Sequence, residues 1–159
     1  MERRTFHLEV VTPQKIEYSA DVTMIVAPAY DGYLGILPSH LPMVTKLTTG
    51  VLRIFNGEKE VKMAVSDGYM EVTPEKVIIL AETAELPEEI DIPRALAAKR
   101  RAEEQLAALA AWDERAIRAQ ASLQRALTRL KVAAQLQPGA ERGHNPSSQG
   151  KITGQDARK

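Results

Sequence analysis

The sequence predicts an α+β protein in which an N-terminal antiparallel β-sandwich, or flattened barrel, precedes a C-terminal antiparallel two-helix hairpin. Three observations lead there. From Thr5 to Ala81, apolar residues recur with period two in short runs cut by Gly, Pro, Asn and Asp, the pattern of half-buried strands. From Asp91 to about Leu136 the period lengthens to that of a helix and alanine dominates,. The charge changes with the pattern: residues 1–90 carry 8 Lys and Arg against 14 Asp and Glu, and residues 91–159 carry 13 against 7, so a net charge of zero is split into −6 and +6.

The strands follow in order. Phe6, Leu8 and Val10 alternate with His7, Glu9 and Val11, and TPQK turns the chain into IEYSA. VTMIVAP, YLGIL, PMVTKL and VLRIF come next, the last ending at Asn56-Gly57, whose tolerance of positive φ marks a tight hairpin,. EKEVKMAV returns; Ser66-Asp67-Gly68 and Thr73-Pro74-Glu75 turn the chain around YMEV, and KVIILA closes the series. About nine or ten strands with no intervening helix exclude an α/β sheet. Between Asp31 and Ile54, Gly32, Gly35 and Gly50 permit sharp corners, while Pro38 and Pro42 stiffen the chain on either side of His40,.

LPEEIDIPRA leads into the helices. Asp91 is an N-cap and Pro93 falls in the first turn, where a missing N–H costs nothing,. Ala95, Leu96, Ala102, Leu106 and Leu109 share one side of the first helix, with Arg94 and Arg101 on another,. Trp112-Asp113 interrupts and Asp113 caps the second helix, which places Leu123, Leu127, Leu130 and Ala134 on one face and Arg115, Arg118, Arg125 and Arg129 opposite,. An alanine seam lets helices approach closely but buries little per residue, so the hairpin must lean on something else. The expected units are 1–87 (sandwich), 88–137 (hairpin) and 138–159, a polar tail without period that reads as disordered,.

Composition limits function. Without cysteine there is no disulfide, thiol nucleophile or thiolate zinc site,. His7, His40 and His144 are not at metal-ligand spacing, the start lacks a signal-type apolar core, and no run is long enough to cross a bilayer,. Ser39-His40 is a poor nucleophile–base pair because neighbours in a proline-bracketed corner lack triad geometry; a hydrolase around His40 is the weakest class. Nucleic-acid binding is also disfavoured, since no aromatics interleave the arginines and the sandwich is acidic. The arginine stripe reads either as a solvated face or as guanidinium groups set to grip phosphate or carboxylate oxygens, and Asp91 reads first as a cap.

HLEVVTPQK near the start, GILPSHLP with LTTGVLRI in the middle, SDGYMEV with VIILAETAE before the helices, and the trailing RLKVA together resemble the epsilon subunit of F-type ATP synthases over residues 5–136. The resemblance implies a non-catalytic rotor subunit that binds the gamma subunit and the c-ring, meets the catalytic alpha and beta subunits through its helices, and lies peripherally at the cytoplasmic face of the cell membrane. Contact with the membrane would come only through the complex. It also implies proton-coupled ATP synthesis, inhibition of hydrolysis by the hairpin, and a rotor contact at Asp31, Tyr33 and His40. Ile90-Asp91-Ile92-Pro93-Arg94-Ala95 resembles the I-D-x-x-R-A pattern of ATP-binding members, with Glu85, Arg101, Arg125 and Arg129 as supporting positions. ATP is then a regulatory ligand and no cofactor is obligatory. The alternative is a stand-alone ATP-sensing module.

Overall fold

A computed structural model describes residues 4–136. Ten strands form one highly curved sheet: β1 (Phe6–Val11), β2 (Ile16–Val22), β3 (Met24–Ala29), β4 (Gly32–Ile36), β5 (Met43–Leu47), β6 (Gly50–Asn56), β7 (Lys59–Val65), β8 (Gly68–Val72), β9 (Lys76–Ala81) and β10 (Ala84–Glu85). Their spatial order is β10-β7-β6-β3-β5-β8-β9-β1-β2, with β4 paired to β3. Every pair is antiparallel except β1 with β9. That one parallel pair needs no crossover helix, because β1 and β9 are brought together by the whole intervening sheet wrapping round.

The turn chemistry acts where it is expected. Gly57 takes φ 66° in the hairpin that pairs Asn56 with Lys59. Gly32 takes φ 120° just after the turn at Tyr30 and Asp31. Gly35 and Gly50 do not use positive φ; Ser39 does, at 65°, between the two prolines of the corner. The glycine at position 68 serves packing: a Cβ there would lie 1.9 Å from the carbonyl oxygen of Leu80, so β8 and β9 approach each other only because the side chain is absent,.

The inward positions of these strands make a single aliphatic core in which Leu8, Ile25, Leu47, Leu52, Met63 and Ile79 are wholly buried. The helices stay outside it. A short 3₁₀ turn (Pro87–Glu89) leads to α1 (Ile92–Ala108), and α2 (Glu114–Ala133) runs back against it. Both caps form: Asp91 Oδ1 accepts from the Arg94 amide at 2.9 Å and Asp113 Oδ1 from the Arg115 amide at 2.8 Å.

The helix faces differ from the expectation. Leu96 and Leu127 are exposed, Ala134 is exposed beyond the end of α2, and the buried positions of the hairpin are mostly alanines: Ala95 and Ala102 on α1, and Ala116, Ala119, Ala126 and Ala133 on α2. The reason is that α2 has two burial directions. One faces α1; the other, through Val132 and Ala133, faces β6 and β7, where these residues meet Val51, Ala64 and Ile90 in a second apolar cluster separate from the sandwich core. A single-stripe reading averages the two directions. Consequently Arg125 and Arg129 are half-buried beside the sandwich while Arg115 and Arg118 are exposed, so the four do not share one solvated face. The expected tail lies outside the described residues.

Candidate functional site: the hairpin seat and the proline corner

Ala84 and Glu85 pair with Val65 and Ala64 at the edge of the sheet, which aims the Glu85 side chain at the last turns of α2. Glu85 Oε2 accepts a 2.5 Å bond from Arg129 Nε, with the two side chains 31% and 27% exposed. At that exposure the pair is neither a screened surface contact nor a fully desolvated one. Arg125 and Thr128 close the same cleft from α2, and Thr49, Ser66 and Thr83 close it from the sandwich. The cleft retains only about 10 Å³ of free space. Three of its hydroxyls bond within the protein: Ser66 Oγ lies 2.8 Å from Thr83 Oγ1 and accepts from the Thr83 amide, while Thr128 Oγ1 donates to the Gln124 carbonyl.

The start of α1 is fixed beside this seat. Ile90 is buried against Val132 and Ala133, so the first turn of α1 is level with the last turn of α2. Lys15 ties the linker to the β1–β2 turn through Glu17 (3.1 Å) and Glu89 (3.4 Å), and those carboxylates, Glu17 first, hold its ammonium pKa above the usual value. Of the residues expected at an ATP site, Glu85, Arg125 and Arg129 line one cleft. Ile90 and Ala95 are buried packing residues, Asp91 is the cap, and Arg94 and Arg101 are exposed on α1 outside the cleft. The ion pairs divide the arginines further. Arg115 and Arg118 at the hairpin tip are neutralised by Asp113 and Glu114, whereas Arg94, Arg101 and Arg125 have no ion pair among the described residues.

At the other candidate, the proline corner, Asp31 and Tyr33 are exposed on the β3–β4 turn and β4. His40 is half-buried, with Nδ1 donating to the carbonyl of Leu41 at 2.8 Å. That nitrogen is the one a triad would give to an orienting carboxylate, so Ser39-His40 lacks the geometry of a nucleophile and base. Large apolar side chains are open along the same stretch: Leu41 is 79% exposed, and Tyr30 and Leu37 are also exposed.

A second exposed apolar zone escaped the sequence reading. On the outer face of the sheet, register aligns Tyr69 with Leu80 and Val11 with Ile16, and Val44 lies on the same face. Tyr69, Leu80, Ile16 and Val44 are all more than half exposed. The signal for it is the unbroken run Val77-Ile78-Ile79-Leu80, because a strand with only one buried face alternates.

Among the described residues, no helix is long and apolar enough to cross a membrane. No group of three or more His, Cys, Asp or Glu among them is placed to hold a metal ion.

The comparisons with known proteins agree with this architecture. Residues 5–87 match the family model described as ATP synthase, Delta/Epsilon chain, beta-sandwich domain, and residues 88–134 match its long alpha-helix domain. The ATP synthase epsilon chain of Desulforamulus reducens is 45% identical over 130 residues, covering 82% of this chain and 98% of that one. That of Natranaerobius thermophilus is 49% identical over 138 residues, covering 84% and 95%. Among solved structures, a chain in the Euglena gracilis mitochondrial ATP synthase (OSCP/F1/c-ring) superposes with a TM-score of 0.68 at 23% identity, covering 84% of this chain and 82% of that one, a likeness of fold. With both of its domains matched and full-length relatives at this identity, the chain belongs to the epsilon-chain family of F-type ATP synthases, non-catalytic components of the central rotor.

Proposed function

We propose that this subunit couples proton translocation to ATP synthesis as a rotor part, and that its hairpin is an ATP-sensitive brake on hydrolysis. The observation that carries the reading is the shallow seat of the hairpin. It is held by one partly buried ion pair and a small cluster at Ile90, Val132 and Ala133, so undocking exposes little apolar surface and a single ligand has enough energy to shift the balance. ATP binds through Ile90, Asp91, Arg94, Ala95 and Arg101 at the start of α1 with Glu85, Arg125 and Arg129, and its phosphates need cations from both helices at once. The compact form is therefore the one ATP favours. Without ATP the released basic helices reach acidic surfaces of the alpha and beta subunits and block hydrolysis.

The sandwich supplies the rotor contacts. The outer apolar row at Tyr69, Leu80 and Ile16 suits the gamma subunit, since exposed apolar patches on a sheet mark a protein partner. The corner at Asp31, Tyr33 and His40, with Leu37 and Leu41, suits the c-ring. The solved structures of similar fold come from an OSCP/F1/c-ring complex and from a central stalk/c-ring complex. The subunit is then peripheral, at the cytoplasmic face of the membrane.

Fluorophores on the sandwich and near Leu136 test the brake: ATP should shorten their separation, and Arg94→Ala or Arg101→Ala should weaken ATP binding about tenfold or more. A distance indifferent to ATP contradicts the switch. Co-purification with a large ATPase separates this reading from a stand-alone ATP-sensing module.

A further inference from the structure

We infer that the hairpin swings from a pivot at Ile90 and Asp91, and that Glu89 with Lys15 staples residues 84–90 to the sandwich, so that this linker stays behind when the helices leave. The moving part then begins inside the matched helical domain, which starts at residue 88, and not at its edge. The pivot serves the same opening as the proposed brake but requires no nucleotide.

The backbone hydrogen bonds change direction at this point. Up to Ile90 they run back: Ala84 and Glu85 pair with β7, the Glu89 amide donates to the Leu86 carbonyl, and the Ile90 amide donates to the Pro87 carbonyl. From Asp91 they run forward, its carbonyl accepting from the Ala95 amide and its Oδ1 from the Arg94 amide. Among the described residues, no backbone hydrogen bond joins residues 84–90 to α1. Ile90 and Asp91 are both extended, with ψ of 120° and 98°, and they lie between the 3₁₀ turn and α1. A rotation there breaks no backbone bond, and such element-terminal residues are where hinges form.

Burial alone does not assign the linker to either body. The 3₁₀ turn touches β7 and α2, Leu86 packs on the sandwich core, and Ile90 shares its cluster with Val51 and Ala64 as well as with Val132 and Ala133. The Glu85 bond to Arg129 runs to α2 and breaks when that helix leaves. What decides is the Glu89 carboxylate. Its Oε2 accepts from the Leu86 amide at 2.9 Å and closes the turn, while its Oε1 accepts from Lys15 Nζ at 3.4 Å and ties the turn to the β1–β2 connection. Lys15 is held in its turn by Glu17 at 3.1 Å, a side chain only 6% exposed, so the tie ends on the scaffold. An exposed ion pair by itself contributes little; this one adds to a charge-assisted bond on a backbone amide, which stiffens the linker from within.

The test is hydrogen exchange on the full chain without nucleotide, comparing the amides of Leu86, Glu89 and Ile90 with those of Arg94 and Ala95, each rate read relative to β7. In wild type, Leu86, Glu89 and Ile90 should follow the sheet and exchange at least about tenfold more slowly than Arg94 and Ala95, which follow the helices. Glu89→Ala should speed the Ile90 amide about tenfold or more, and Lys15→Met about threefold. The double variant should be no faster than Glu89→Ala, because the lysine acts only through that carboxylate. Leu86, Glu89 and Ile90 exchanging with the helices in wild type would place the pivot at Glu85 and overturn the inference, as would exchange of the whole chain in one step. An Ile90 rate unchanged relative to β7 in Glu89→Ala overturns the staple, and one unchanged in Lys15→Met removes the lysine from it.

Discussion

The sandwich and the hairpin are built from the same aliphatic alphabet but by opposite rules. In the sandwich, large side chains such as Leu8, Leu52 and Ile79 are wholly buried in one continuous core. In the hairpin, the fully buried positions are mainly alanines, and Leu96, Leu127 and Trp112 face solvent. Burial of a Leu or Ile stabilises by about 1.5 to 3 kcal/mol and an alanine by a fraction of that. One part is therefore a scaffold and the other an attachment, held by its neighbours' surfaces more than by its own interior. An attachment of that kind can open at a cost well below global unfolding.

The comparison breaks most easily through one substitution made twice. Leu52→Ala in the core should cost about 2 to 5 kcal/mol, whereas Leu127→Ala, on a helix position that is 40% exposed, should change stability by less than about 1 kcal/mol. Urea denaturation followed by circular dichroism checks both, and similar costs would remove the distinction. Cutting the chain after Glu89 comes next. The main core contains no residue from the helices, so the remaining sandwich should keep its β spectrum and lose only the cover over Val51 and Ala64, a cost of about 1 to 2 kcal/mol. Loss of the β spectrum on truncation would show that the hairpin is part of the scaffold.

Asp91→Ala sharpens the comparison at the junction. Removing the acceptor for the Arg94 amide should destabilise the hairpin by about 0.5 to 2 kcal/mol, seen as loss of helical signal on mild heating while the sandwich transition stays put. The smallest effect is at the tip. The Arg115 side chain, helped by its amide, holds the Asp113 carboxyl below its usual 3.8. A depressed carboxyl contributes stability above its unfolded value and loses it as pH falls through the folded one. The gap in helix stability between wild type and Asp113→Ala should therefore be constant near neutrality and close only below about pH 4. A gap that closes between pH 5 and 7 would assign the effect to another group.

How much of this was legible in the sequence follows the same division. Strands and turns were readable because local chemistry fixes them: Asn56-Gly57, Thr73-Pro74-Glu75 and the alternation of Phe6, Leu8 and Val10 act within a few residues. The caps at Asp91 and Asp113 were readable for that reason too. The buried face of α2 was not, since Val132 and Ala133 join Val51, Ala64 and Ile90 while Ala119 and Ala126 are buried outside that cluster, and one period cannot describe two burial directions. Glu85 and Arg129 were singled out from a family pattern, but their bond to each other spans 44 residues and leaves no local trace. Nor did turn chemistry reveal why Gly68 must be a glycine; the reason is the Leu80 carbonyl on the next strand.

Residue-resolved hydrogen exchange on the full chain separates scaffold from attachment. Amides of α1 and α2 should exchange together, through an opening much cheaper than global unfolding, while β6, β7 and β9 exchange only at the global limit. Equal protection of helices and strands, lost in one step, would contradict it, because the hairpin would then be bound into the same cooperative unit as the sandwich.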